Sequence, residues 1–371
     1  MLCRNCLVFG TFRIRLLGVS ERSEKSRVAR RVTLKSVADA SGLGLTTVSD
    51  ILNGGETIRA RYNQQTRDRV LSITRKLGYS VDRAAQQLRR GKSGVVGLLL
   101  TRHMHDVFFA RIVDLAEQEF RKRDFQMQLA IAQENEVPER LAQLQQARVE
   151  GLIFGPAYDA KDVAPLDDLN MPTIIFGGHA AAKHDVVALD HVAARKLVAE
   201  HLKSQGHRVV GFLEMHHPRS AKVRSDASIL RAAELSGEAW WMADSQSQEE
   251  QTVYEAALRF AERWKAADKS VRPTALICHD DHTAAIALSA LWEKGIRVPD
   301  DLSVAGCNNM PSTRFLVPPL TTVDLHVEEQ IQLAVDRLVF RINHPRAERL
   351  VQRVKANLVE RASVAKVSAS S

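Results

Sequence analysis

The spacing of apolar side chains changes character several times along the chain, and those changes divide it into parts. From Val32, the residues Leu34, Val37, Ala38 and Ser41 fall on one helical face behind Thr33, whose hydroxyl can cap the first turn, and Gly42 ends the helix. A second short helix is predicted after Gly44, with Val48, Ile51 and Leu52 inward and Leu45, Thr46, Thr47, Ser49 and Asp50 facing out. A third, from about Gln64 to Leu77, carries Val70, Ile73 and Leu77 inward, shows Arg67, Arg69, Arg75 and Lys76 on its other face, and stops at Gly78. Two short amphipathic helices across a tight glycine-containing turn, with a third to close the core, predict a helix-turn-helix unit. The segment Asp82 to Ser93 reads as a short donor-rich helix ended by Gly91, with Leu88 as its prominent apolar residue.

After Gly94 the period switches. Short β-rich apolar runs (Val95 to Leu100, Phe125 to Ala132, Leu152 to Phe154, Thr173 to Phe176, Val209 to Leu213, Ala275 to Cys278, Leu302 to Gly306) alternate with helical stripes such as Val253, Ala256, Ala257, Phe260 and Trp264. Repeated β-α units predict a parallel, doubly wound sheet.

Charge sharpens this division. Residues 1 to 93 hold 19 Lys+Arg against 7 Asp+Glu, and the remainder 33 against 37, so all of the chain's excess of +8 lies in the N-terminal part. A basic segment joined to a mildly acidic body suits a polyanion-binding module attached to a domain with another task. Cys3, Cys6, Cys278 and Cys307 are too few and scattered for a disulfide framework, which predicts a reducing, cytoplasmic setting; the Cys3/Cys6 pair has no second pair at zinc spacing. No apolar run reaches the roughly eighteen residues that span a bilayer, and Arg4, Arg13 and Arg15 interrupt the first thirty, so neither membrane insertion nor a signal peptide is expected. Residues 1–31 read either as a disordered basic extension or as the product of a start codon placed too far upstream.

The runs Val32-Thr-Leu-Lys-Ser-Val-Ala-Asp-Ala-Ser-Gly-Leu, Thr47-Val-Ser, Leu52-Asn-Gly, Thr66-Arg-Asp-Arg-Val-Leu and Leu77-Gly-Tyr occur in the order found in lactose/galactose repressor (LacI/GalR) headpieces, which this region resembles. The resemblance continues over nearly everything after Val32. It implies that Leu45, Thr46 and Asp50 meet base edges, that Thr33, Thr47, Ser49 and Asn53 meet phosphates or flanking bases, and that Tyr79 belongs to the same DNA-binding set. Asp50 departs from the family's usual arginine; a carboxylate only accepts, which favours a cytosine N4 amine and repels nearby phosphate. Between Asn53 and Thr66 the chain is longer than the family turn, adding Arg59, Arg61 and Tyr62, either as a tolerated surface insertion or as a source of extra backbone contacts. The segment from Asp82 resembles the family's hinge helix, which enters the minor groove; Leu88 is then the wedge residue and Ala85 packs against the partner helix. The family's Pro-Asn ahead of it is Val81-Asp82 here.

For the larger part, the resemblance implies two α/β lobes with a ligand cleft between them, as in type I periplasmic binding proteins. Ligands in such sheets sit beyond the carboxyl ends of the strands. Phe108, Arg224, Asp280 and Asn308 match the family's effector-contacting positions, with Gly306-Cys-Asn-Asn replacing the usual acid-containing turn and Gly177 standing where many members place another acid. His103, His105, His179, His216, His217, His279 and His282 fall near predicted strand ends, where they either favour an anionic effector or a metal complex or are ordinary loop histidines.

No P-loop, dinucleotide fingerprint or nucleophile elbow is present, so an enzyme on this fold lacks its chemistry; His279-Asp-Asp-His282 is read as a strand-to-helix turn with Asp281 near the cap, in preference to a metal site. A transport solute-binding protein shares the two-lobed fold but needs export and no headpiece. The expectation is therefore a homodimeric DNA-binding transcriptional repressor, without a cofactor, that binds a pseudo-palindromic double-stranded operator under control of a small-molecule effector such as a sugar. Its expected parts are the extension 1–31, a helix-turn-helix domain 32–80, hinge and linker 81–93, a two-lobed sensor 94–362 and a disordered tail 363–371. Nothing in the last stretch has the leucine heptads of a tetramerising coiled coil.

Overall fold

The computed structural model describes residues 32–53, 56–79, 92–101, 107–156, 163–177, 183–188, 191–215, 234–236, 242–245 and 250–367. The chain forms two compact units that divide between Gln86 and Gln87.

The N-terminal unit is helical. Helix α1 (Leu34–Ser41) starts at a capping box: the Ser36 amide donates to Thr33 Oγ1 over 3.3 Å, while the Thr33 amide donates to Ser36 Oγ over 3.2 Å. It ends at Gly42, whose φ of 65° lies in the left-handed region that glycine adopts without strain. Helix α2 (Leu45–Asn53), a single turn α3 (Glu56–Arg59) and helix α4 (Gln64–Leu77) follow. Asn63 caps α4 by accepting from the Thr66 amide, and Gly78 closes it in the left-handed conformation. The core is Val37, Ala38, Val48, Ile51 and Val70, with Leu34, Leu43, Leu52, Tyr62, Ile73 and Tyr79 packed around it. Leu77, expected inward, is instead 38% exposed. Ile73 one turn earlier and Tyr79 beyond the cap pack against the core, and Leu77 is not among the residues that do.

The C-terminal unit holds two parallel sheets. Strands β1 (Val95–Leu100), β2 (Gln126–Ile131), β3 (Leu152–Gly155), β4 (Thr173–Phe176), β5 (Asp185–Ala188) and β11 (Val351–Arg353) form one, in the order β2-β1-β3-β4-β5-β11. Strands β6 (Val210–Met215), β7 (Met242–Ser245), β8 (Ala275–Cys278) and β9 (Ser303–Ala305) form the other, ordered β7-β6-β8-β9. Both reverse direction of winding beside their first strand, between β1 and β3 and between β6 and β8. That is the doubly wound arrangement with its topological switch point. Strands β3, β4, β5 and β8 are buried along their whole length, as expected of parallel strands covered on both faces.

The helices that cover them are α5 (Val107–Lys122), α6 (Val137–Gln146), α7 (His191–Ser204), α8 (Glu250–Ala266), α9 (Asp281–Glu293) and α10 (Val327–Asn343). The stripe Val253, Ala256, Ala257, Phe260 and Trp264 is buried on α8, as its spacing predicts. Helix α10 returns to the first sheet, so the chain crosses between the lobes more than once. There Asp185, almost wholly buried at the start of β5, accepts from Arg337 of α10 at 2.9 Å and lies 3.1 Å from Arg341. One apolar cluster runs through both lobes, joining Val96, Leu98 and Phe108 to Phe212, Ile277 and Ala305.

The short antiparallel pair β10 (Thr322–Asp324) and β12 (Asn357–Val359) leads into the end of the chain. Residues 363–367 are not a disordered tail. The Ser363 hydroxyl, fully buried, accepts from the Thr321 amide at 2.8 Å and donates to the Val304 carbonyl at 2.6 Å, while the Val367 amide donates to the Gln205 carbonyl. Without a long apolar run this segment carries no periodic signal; it is held through these hydrogen bonds and by Val364, which packs against the main apolar cluster. Ser363→Ala strands two buried backbone groups, so it should lower the unfolding free energy in urea by about 1–3 kcal/mol. A variant as stable as the wild type would show that Ser363 contributes nothing there.

Candidate functional site

Two groups of polar side chains stand out, one in each unit. In the helical unit they lie on α2. Leu45 is 51% exposed and Thr46 is exposed beside it, while Thr47, Ser49, Asp50 and Asn53 are half-buried. The Asn53 amide donates to Ser49 Oγ at 3.3 Å, tying the last turn of the helix to itself. Thr33 sits at the N-cap of α1 and Tyr79 packs against the core just past α4. Asp50 is engaged: the Tyr62 hydroxyl donates to its Oδ2 at 2.8 Å. That hydrogen bond holds the Tyr62 hydroxyl above its ordinary pKa. The added stretch between α2 and α4 is thus folded onto the helix that precedes it, with Arg59 also donating to the Leu52 carbonyl at 3.3 Å. Ala85 and Leu88 lie outside the described residues.

In the two-lobed unit the described positions Phe108, Asp280 and Asn308 follow strands β1, β8 and β9 in the chain. Phe108 opens α5 after β1 and meets Phe109 edge-to-face at 5.8 Å between centroids. It is buried within the shared apolar cluster. Asp280, just past β8, is buried and caps α9, accepting from the Thr283 amide at 2.8 Å. Asn308 lies past β9 at φ 109°, a left-handed conformation uncommon for residues other than glycine, and its amide nitrogen donates to the Val323 carbonyl. The next residue, Asn309, is a fastener: it donates to Asp324 at 3.0 Å and accepts from Arg361 at 2.7 Å. Arg224 lies outside the described residues, as do His103, His105, His179, His216 and His217.

A charged cluster that pattern reading missed occupies the switch point of the second sheet. Leu213 and Cys278 are register partners on β6 and β8, so the next residues, Glu214 and His279, stand side by side at the strand ends. His279 Nδ1 is 3.0 Å from Glu214 Oε2, and Arg195 on the second turn of α7 grips the same carboxylate with both amino groups at 2.6 and 3.1 Å. Glu214 and Arg195 are each about nine-tenths buried. An ion pair taken so far out of water needs this geometry to offset its desolvation. The available signal was a glutamate ending an otherwise apolar run, which must find a cation if buried. His282, by contrast, reaches Glu250 at 3.3 Å on a more open surface. Among the described residues, no three His, Cys, Asp or Glu side chains gather as metal ligands.

Asp281 anchors α9 from below. Thr322 Oγ1 donates to its Oδ1 at 2.5 Å, the Met310 amide to its Oδ2 at 2.7 Å, and its own amide donates to the Cys307 carbonyl. A β-carbon at Gly306 would lie 2.5 Å from Oδ1, so that glycine is required for the approach. Burial pushes Asp281 up to about 7. The folded protein then binds this proton more tightly than the unfolded chain, so the group favours folding at low pH and that contribution fades as pH rises from about 4 through 7. Wild type should lose stability relative to Asp281→Asn between pH 5 and 8, measured by urea unfolding at each pH. A difference between the two that stays constant with pH would contradict the raised value.

These features define a class: a small helix-turn-helix unit joined to a doubly wound, two-lobed unit with polar clusters at its strand ends. Comparison with known proteins agrees along almost the whole chain. Residues 199–364 match the model of the periplasmic binding protein-like domain. The transcriptional repressor PurR of Mannheimia succiniciproducens is 29% identical over 91% of this chain and 99% of its own length, and PurR of a Salmonella strain is 29% identical over 90% and 97%. The lac repressor dimer bound to operator and the anti-inducer ONPF superposes with a TM-score of 0.73 at 22% identity, covering 91% of this chain and all of that one. A LacI-family regulator from Sanguibacter keddieii gives 0.61 at 26% identity over 74% of this chain and 99% of its own. Along most of its length the chain is thus similar to PurR repressors and to a LacI-family regulator, and its residues 199–364 to the periplasmic binding protein-like domain.

Proposed function

We propose that this protein is a sequence-specific DNA-binding transcriptional repressor whose operator affinity is set by a small molecule bound at the strand ends of its two-lobed unit. The observation that carries this reading is the presence in one chain of an exposed recognition surface on α2 and of polar clusters at strand ends in the doubly wound unit. The curated relatives are named as repressors, and a related structure holds operator DNA.

Leu45, Thr46 and Asp50 are assigned to base edges in the major groove, and Thr33, Thr47, Ser49, Asn53 and Tyr79 to the backbone and flanking bases. Ala85 and Leu88 are assigned to paired hinge helices in the minor groove. The protein acts in the cytoplasm as a homodimer, so its operator is pseudo-palindromic. Effector contacts are assigned to Phe108, Arg224, Asp280 and Asn308, and the Arg195–Glu214–His279 cluster is added to them. Phe108 supplies an apolar wall, while Asp280, Asn308 and the cluster supply hydrogen bonds to a polar metabolite. The parts are a headpiece over 32–80, a hinge over 81–93 and a sensor from 94 onward, now extended through 367. No helix among the described residues is long and apolar enough to cross a membrane.

Selection of bound DNA from a random pool by the full-length protein, with and without a panel of sugars and nucleobases, tests this. The expected result is a two-fold-related pair of half-sites whose recovery changes with one metabolite, the coupling being worth about 1–3 kcal/mol. Recovery of DNA with no common sequence under all conditions would overturn the reading.

A further inference from the structure

The segment between α2 and α4 has a property that a tolerated insertion does not. Tyr62 is partly buried, packed against the headpiece core, and its hydroxyl reaches Asp50 on α2. A phenol is well suited to this: its oxygen is fixed by the packing of a rigid ring, unlike the end of a flexible chain. Asp50 would otherwise sample several rotamers on the helix surface. Arg59 closes over the carbonyl of Leu52 at the end of α2, so a second side chain of the same stretch is fastened to that helix.

We propose that Tyr62 is a specificity-determining positioning residue: it engages Oδ2 of Asp50 and aims Oδ1 into the major groove as a fixed single acceptor for an exocyclic base amine. The inference rests on the DNA-reading function proposed above. A carboxylate has no proton to donate, so guanine O6 and N7 and thymine O4 offer it nothing, whereas cytosine N4 and adenine N6 each present a donor in the major groove. Of the two, cytosine is favoured because its major-groove edge lacks the N7 acceptor that adenine sets beside its amine, which a carboxylate would repel. Tyr62 therefore acts on discrimination at one base pair of each half-site and leaves the others alone.

The test compares full-length wild type, Tyr62→Phe, Asp50→Asn and the double variant on the operator recovered by wild type and on duplexes carrying each alternative at every half-site position. Tyr62→Phe keeps the ring packed against the core, so thermal melting should match wild type. Discrimination at one position should fall about five- to tenfold, part of the worth of the base contact that a freely rotating carboxylate no longer makes as well. The remaining positions should be unaffected. In the Asp50→Asn background the same change should have no further effect at that position, the coupling expected of two residues acting as a unit. If wild type prefers C·G at the affected pair the amine is cytosine N4; a preference for A·T would assign adenine N6. Identical discrimination by wild type and Tyr62→Phe would overturn this inference while leaving the DNA-reading function standing, and so would a loss spread evenly over all positions. Absence of any sequence preference in wild type would overturn both.

Discussion

A parallel strand covered on both faces has no room for polar chemistry along its length, and the crevice that can take a ligand opens at its carboxyl end. The rest of the two-lobed unit follows from this constraint. Strands β3, β4, β5 and β8 are buried from first residue to last, and their sequences hold almost nothing that could bind a ligand. The chain's reactive side chains therefore accumulate just beyond them: Asp280 after β8, Asn308 after β9, Phe108 in the helix that follows β1. Where winding reverses, neighbouring crossover helices go to opposite faces and open a crevice at the strand ends. Glu214 and His279 stand at that point in the second sheet, with Arg195 holding the carboxylate from the side. Residues up to Val367 tie the end of the chain back to this body, the Val367 amide donating to Gln205 after α7.

The helical unit obeys a different constraint. Its core is five buried residues and a few partly buried neighbours, too small to dictate every surface position by packing. Caps, turns and a few side-chain hydrogen bonds therefore set its details. Thr33 and Ser36 fix where α1 begins, Gly42 and Gly78 where α1 and α4 end, and Tyr62 holds Asp50 against the surface of α2. The last of these lies on the surface assigned to DNA, so an internal structural bond and a recognition contact share one carboxylate.

How much was legible in the sequence follows from these two constraints. Val95 to Leu100, Thr173 to Phe176 and Ala275 to Cys278 coincide with strands because an uninterrupted apolar run is what double-sided burial demands. Gln64 to Leu77 was bounded correctly because its glycine stop is a local signal. Strands β10, β11 and β12 have three residues each, too short for a period to register, and β11 and β12 lie partly in the open. Leu77 was misplaced because periodicity cannot see that Ile73 and Tyr79, and not Leu77, pack against the core. The Arg195–Glu214–His279 cluster draws on α7, β6 and β8, and the Tyr62–Asp50 bond spans a turn of unfamiliar length; contacts of that kind exist only once the chain has folded.

In the proposed function one unit reads DNA, the other senses a metabolite, and the two are energetically linked. Linkage is reciprocal, so it can be tested from both sides. The direct measurement is the affinity of the full-length protein for the responsive metabolite, by calorimetry, with and without saturating operator, set beside operator affinity with and without saturating metabolite. The account predicts the same factor in both directions, about 5- to 150-fold. A metabolite affinity unmoved by operator would contradict it.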